Sequence, residues 1–198
     1  MTRGAAPLLA LVLCAPPARA AQVFLREPDA ARALFGEVVT SRRGMLELSD
    51  AQREELSRRL GRRVDVRSYP YLEVFSTPSH EQPARLLGHV FVVDVVGQSL
   101  PITFAVGVRS DGTLQDVQVM VYRETHGDEI RERRFRAQFT GKSLASPLVV
   151  GKDIDAITGA TISSRSASYA ARKALALAEI LRRDSRLQAP GFRLQTSP

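Results

Sequence analysis

A chain of 198 residues that is 44% hydrophobic and 25% charged has ordinary globular composition, which excludes collagen-like, low-complexity and wholly disordered proteins. It is long enough to bury a core without staples. Its single cysteine, Cys14, excludes an intramolecular disulfide, a zinc ribbon, an iron–sulfur ligand set and c-type haem attachment. The net charge of +7 raises nucleic acid as a partner, an option the charge pattern below argues against.

Residues 1–20, MTRGAAPLLALVLCAPPARA, read as a secretory signal peptide: Arg3 is a basic start, Leu8 to Cys14 a short apolar run, and Ala18-Arg19-Ala20 a small-x-small cleavage site. The run is too short to span a bilayer, and Pro16-Pro17 would end a helix there. Cys14 as a lipid anchor is the alternative, disfavoured by the bulky Leu13 before it. Cleavage after Ala20 would remove Arg3, Arg19 and Cys14, leaving 26 basic against 21 acidic residues, a charge of +5, and no thiol. The expected product is a periplasmic or otherwise exported domain.

Pro28 to Phe35 reads as a short helix with Ala30, Ala31, Leu34 and Phe35 on one side. Ser49 opens a clearer one, with Gln52 completing a capping box and Gly61 at the C-terminal glycine position. Its charges, Arg53, Glu54, Glu55, Arg58 and Arg59, are of both signs, as on a solvated face and not in a nucleic-acid groove. From Tyr69 the pattern turns to strands: Tyr71–Phe75, Leu86–Val96, Leu100–Val108 and Leu114–Tyr122. Gly97-Gln98 and Ser110-Asp111-Gly112 separate the later ones as hairpin turns, which makes an antiparallel meander. A charged stretch, Glu124 to Arg136, precedes a last helix from about Ile162 to Arg183, where Ala167, Ala170, Ala174, Leu177 and Leu181 form an apolar stripe. The expected fold is α+β, an antiparallel sheet with helices packed on one face and a long C-terminal helix. The organisation expected is signal peptide 1–20, N-terminal helical segment 21–68, main domain 69–183 and flexible tail 184–198.

HExxH, GxGxxG and GxSxG are absent, Gly141-Lys142-Ser143 lacks the first glycine of a P-loop, and His80, His89 and His126 are scattered without metal-ligand spacing, so no metal site is expected. One segment stands out: Asp155-Ala156-Ile157-Thr158-Gly159-Ala160-Thr161, a loop of small residues running into the last helix. Local physics leaves two readings open. The helix start is plainly capped by Thr161, Ser163 or Ser164, or its free N–H groups and positive dipole end hold a phosphate.

Asp155-x-x-Thr158-Gly159-Ala160-Thr161 resembles the flavinylation motif D-x-x-[ST]-G-A-[ST] of the FMN-binding domain family, which includes the covalent-FMN subunits of the sodium-pumping NADH:quinone reductase and the Rnf complex. Glu124-Thr125-His126-Gly127 resembles the family's E-T-P-G segment, with His126 in place of proline, and Phe135-x-x-Gln138-Phe139-x-Gly141-Lys142 resembles its F-x-x-x-F-x-G-K stretch. The resemblance covers about residues 69–182. It implies FMN as cofactor, joined to Thr161 by a phosphoester that a magnesium-dependent flavin transferase installs from FAD. It also implies a cofactor site of Asp155, Thr158, Gly159, Ala160, Glu124, Thr125 and Lys142, with Arg123 a further candidate contact and the flavin ring near Glu124–Gly127.

The expected function is that of an electron carrier or redox subunit and not of a stand-alone enzyme, since no general base or nucleophile for turnover is evident. A membrane-bound or periplasmic redox partner and peripheral membrane contact are expected, and no nucleic acid. Two alternatives stay open: a noncovalent flavin or small-ligand module in which Thr161 is only a cap, and a cofactor-free interaction domain using its basic surface.

Overall fold

The computed structural model describes residues 21–37, 39–79 and 82–188. The expected signal peptide, His80 and residues 189–198 lie outside them. Six antiparallel strands form one sheet: β1 (Gln22–Val23), β2 (Val39–Glu47), β3 (Ser68–Ser76), β4 (Leu86–Val96), β5 (Pro101–Arg109) and β6 (Leu114–Tyr122). Their order is β1-β6-β5-β4-β3-β2, a meander of consecutive strands with β1 added at the β6 edge. The helices are α1 (Ala30–Phe35), α2 (Asp50–Leu60), α3 (Arg133–Ala137) and α4 (Thr161–Gln188).

The turns follow from their residues. Between β5 and β6, Gly112 takes φ +87° while Asp111 Oδ1 accepts the Thr113 amide (2.9 Å) and hydroxyl (2.7 Å). α2 starts with the expected capping box, Ser49 and Gln52 exchanging bonds of 3.2 and 2.9 Å, and ends on Gly61 in the left-handed region.

β5 is the centre of the protein: Ile102 through Val108 are all buried, so both faces of the sheet are covered. On one face α4 lays Ala167, Ala170, Ala171, Ala174 and Leu177 against Phe91, Phe104 and Val106. The run of alanines lets the helix axis approach the sheet closely. α2 packs beside it through Leu56 and Leu60, and Gln52 Nε2 bonds the Asp184 carboxylate at 3.0 Å. On the opposite face α1 brings Ala30, Ala31 and Leu34 onto Leu72, Val74, Val90, Ala105 and Met120.

The helices on one face are thus α2 and α4, and α1 adds cover on the other, because β4 and β5 alternate apolar residues toward both sides. The segment 21–68 is also more than helical. It supplies β1 and β2, and β2 pairs along its whole length with β3. Asp184 to Gln188 continue α4 where a tail is expected.

Candidate functional site

The segment 155–160 leads into α4 by a tight turn in which Gly159 has φ +82° and the Ala160 N–H donates to Ile157 O at 2.9 Å. The Ala160 carbonyl then accepts the first helical bond, from the Ser164 amide at 2.8 Å, and a second from the Ser164 hydroxyl at 2.9 Å. Thr161 is therefore the first helical residue, and its side chain is exposed, as are those of Thr158 and Asp155, while Ala160 is buried. The backbone N–H groups of Thr161, Ile162 and Ser163 donate to no acceptor among the described residues. They are the orphan donors of a 28-residue helix, at the positive end of its dipole.

Neither Thr161 nor Ser163 caps this helix. The buried Ser163 hydroxyl lies 2.8 Å from Tyr122 Oη at the end of β6, and the same tyrosine hydroxyl donates to the His126 carbonyl. Gly127 closes the contact: it has φ +98°, and a Cβ there would stand 2.5 Å from Ser163 Oγ and 2.8 Å from Tyr122 Oη. The Glu124–Gly127 loop is thus docked on the first turn of α4, and the two segments singled out in the sequence meet. Burial pushes the Tyr122 phenol up, only partly offset by its bond to Ser163, so it stays a neutral donor at physiological pH.

The other candidates take different places. Glu124 Oε1 accepts the amides of Ser99 (2.6 Å) and Leu100 (2.8 Å), fastening the β4–β5 turn to the loop. A Cβ on Gly97 would meet that oxygen at 2.6 Å, which explains the glycine. Thr125 lies exposed in the loop. Arg123 reaches Pro101 O (2.9 Å) and Thr103 Oγ1 (3.0 Å) across the sheet edge.

Lys142 Nζ pairs with Asp153 Oδ2 at 3.0 Å. Asp153 in turn accepts the amides of Val149 (2.8 Å) and Leu148 (3.1 Å), and Leu148 is buried with φ +49°. Burial alone would raise the Asp153 carboxyl, but these two amides and the Lys142 ammonium together hold it below the usual carboxylate range. Lys142 and Asp153 thus shape the loop leading to the motif. Gln138 fixes the motif's first residue from both sides, accepting the Asp155 amide at 2.7 Å and donating to its carbonyl at 3.4 Å.

Tyr122, Ser163 and Gln138 are the residues whose roles the sequence does not reveal. Tyr122 reads as a strand end and Ser163 as one of three possible caps. Only the spacing of Gln138 within the F-x-x-x-F stretch marked its neighbourhood.

Around Thr161 the surface is partly apolar, with Leu100, Val96 and Ile162 exposed by 45%, 63% and 43%. On the Asp155 side, Phe135, Gln138, Ala156 and Ile157 border a groove of about 350 Å³. A helix start with free amides, small residues on the approach and apolar side chains at hand fits a phosphorylated planar cofactor.

No curated protein matches the chain in sequence. The model of the FMN-binding domain family matches residues 97–176, from the β4–β5 turn to the middle of α4. That stretch contains the docked loop, the Lys142–Asp153 pair and the whole 155–161 segment. Residues 97–176 are thus a domain of the FMN-binding domain family, and FMN is the cofactor of this protein.

Proposed function

We propose that the protein is an exported electron carrier whose FMN is joined to Thr161 by a phosphoester bond. The observation that carries this reading is the start of α4. An exposed threonine hydroxyl sits beside three backbone N–H groups unpaired among the described residues, on a turn whose neighbours at 158 and 159 leave the approach open. Such a terminus stabilises the negative charge of the donor's phosphate and of the phosphate diester that forms from it.

In the attachment step Thr161 Oγ1 bonds to the FMN phosphorus of FAD, the pyrophosphate bond breaks, AMP leaves and the hydroxyl proton is released. A separate magnesium-dependent transferase performs it. The amides of Thr161, Ile162 and Ser163 would hold the phosphate, and Leu100 and Ile162 offer apolar contacts to the ring. Bound FMN would supply the electron-transfer chemistry. The covalent link keeps the cofactor with a protein outside the cytoplasm, and the mature chain has no cysteine for a thioether attachment. A membrane-bound or periplasmic reductase would deliver the electrons.

The test is co-expression with a flavin transferase, denaturation and in-gel flavin fluorescence. A fluorescent band is expected for the wild type and for Thr158→Ala, and none for Thr161→Ala. A wild type without a fluorescent band overturns the covalent reading, and a yellow protein that loses its colour on denaturation replaces it with noncovalent FMN binding.

A further inference from the structure

One face of α4 carries a feature that extends beyond FMN attachment and shares only Ile162 with it. Ile162, Arg165, Ser166, Tyr169, Arg172 and Lys173 form a stripe at helical spacing that starts next to Thr161. Ser166 Oγ bonds the Val96 carbonyl at 3.2 Å, so the stripe runs beside the end of β4. With Arg62, Val95, Val96 and Gly97 it borders a shallow groove of about 370 Å³. Three arginines line this groove, and none of them makes an ion pair among the described residues. Their neighbours differ: Arg59 is paired with Glu55 at 2.6 Å and Arg63 with Asp65 at 2.6 Å. Asp94 borders the adjoining groove, which Arg62 and Lys173 also line, and accepts the Thr103 hydroxyl at 2.6 Å.

We propose that this groove docks an acidic surface of a partner protein, placing that partner beside Thr161. Three unneutralised guanidinium groups around exposed Val96 and Ile162 make a cationic ring with an apolar contact, the composition of an electrostatically steered interface. A small planar ligand is disfavoured because Tyr169, the one aromatic ring lining the groove among the described residues, already has Arg62 at 5.2 Å and Arg172 at 5.9 Å from its centre. Arg165 follows Thr161 by four residues, about 6 Å along the helix axis, so a partner seated here reaches the cofactor position directly. The partner's role as electron donor or acceptor rests on the electron-carrier reading; the docking itself does not.

The test is calorimetric titration of the protein, with and without flavin, against hexaglutamate, pyrophosphate and phosphatidylglycerol vesicles, at low salt and at about 0.15 M salt. Hexaglutamate is expected to bind at low salt and weaken with added salt. The variant Arg62→Gln/Arg165→Gln/Arg172→Gln should bind it roughly tenfold more weakly. A control that removes the same charge elsewhere, Arg26→Gln/Arg32→Gln/Arg85→Gln, should bind like the wild type. Arg165→Glu alone, at an exposed position, should also weaken binding if the triple variant folds poorly. An equal loss in the control overturns the proposal in favour of diffuse charge. Tighter groove-dependent binding of pyrophosphate or of vesicles overturns it in favour of a small-anion site or a membrane surface. Flavin content, read separately on the same samples, tells a failed cofactor assignment from a failed docking surface.

Discussion

Gly127→Ala is the sharpest probe of how the loop after β6 is fixed to the start of α4. Two costs add at this position. The backbone has φ +98°, and moving an L side chain into positive φ costs about 1–2 kcal/mol. The new methyl would also stand 2.5 Å from Ser163 Oγ and 2.8 Å from Tyr122 Oη, and overpacking of this kind costs about 1–3 kcal/mol. The expected total is about 2–5 kcal/mol.

Gly159→Ala supplies the reference, because it has a similar φ of +82° but nothing within 4 Å of the added Cβ. It should cost only the backbone part. Urea unfolding of both variants, with equal m-values, isolates the packing term as their difference. Combining Gly127→Ala with Tyr122→Phe removes one of the two clashing atoms, so the double variant should be less destabilised than the sum of the singles. Equal stability of Gly127→Ala and Gly159→Ala, or strict additivity with Tyr122→Phe, would refute the docked arrangement.

Three further outcomes are expected. Gln138→Ala frees both polar groups of the Asp155 peptide and should lower flavin loading severalfold while the circular dichroism spectrum stays that of the wild type. Ala174→Leu, at a fully buried position where α4 meets the sheet, should destabilise by about 1–3 kcal/mol in urea, since the close helix approach leaves no room. Asp153 has a folded pKa held below its ordinary value of 3.8, so its contribution to stability is present above that pH and is lost as pH falls through the lower folded value. Acid titration of the wild type should therefore show a loss of stability below pH 3.8 that is smaller in Asp153→Asn.

Much of the fold is legible in the sequence because its signals are local. The hairpin glycines, the Ser49–Gln52 box and the alanine stripe of α4 each act within a few residues. β2 is harder to read: Arg42, Arg43 and Met45 are exposed on an edge strand with both faces partly open, so only Leu46 is buried, and its partner β3 settles it. The continuous apolar run of β5 did carry a signal of two-sided burial, which α1 satisfies from the opposite face.

At the site, the 155–161 segment is visible because small residues before a long helix form a contiguous pattern. Its supports are not. The Tyr122–Ser163 contact spans 41 residues, and the bonds of Glu124 to the β4–β5 turn span 25 and 24, so no spacing rule reveals them. Glu124 and Lys142, expected at the cofactor, also tie together the loops that shape the site.

Esterification of FMN to Thr161 is read out by mass spectrometry of the protein co-expressed with a flavin transferase. Trypsin releases residues 153–165 as one peptide carrying Thr158, Thr161, Ser163 and Ser164. This peptide is expected to gain the mass of one FMN less one water, with fragmentation placing the whole gain on Thr161. An unmodified peptide, or a gain on Thr158 or either serine, would contradict it.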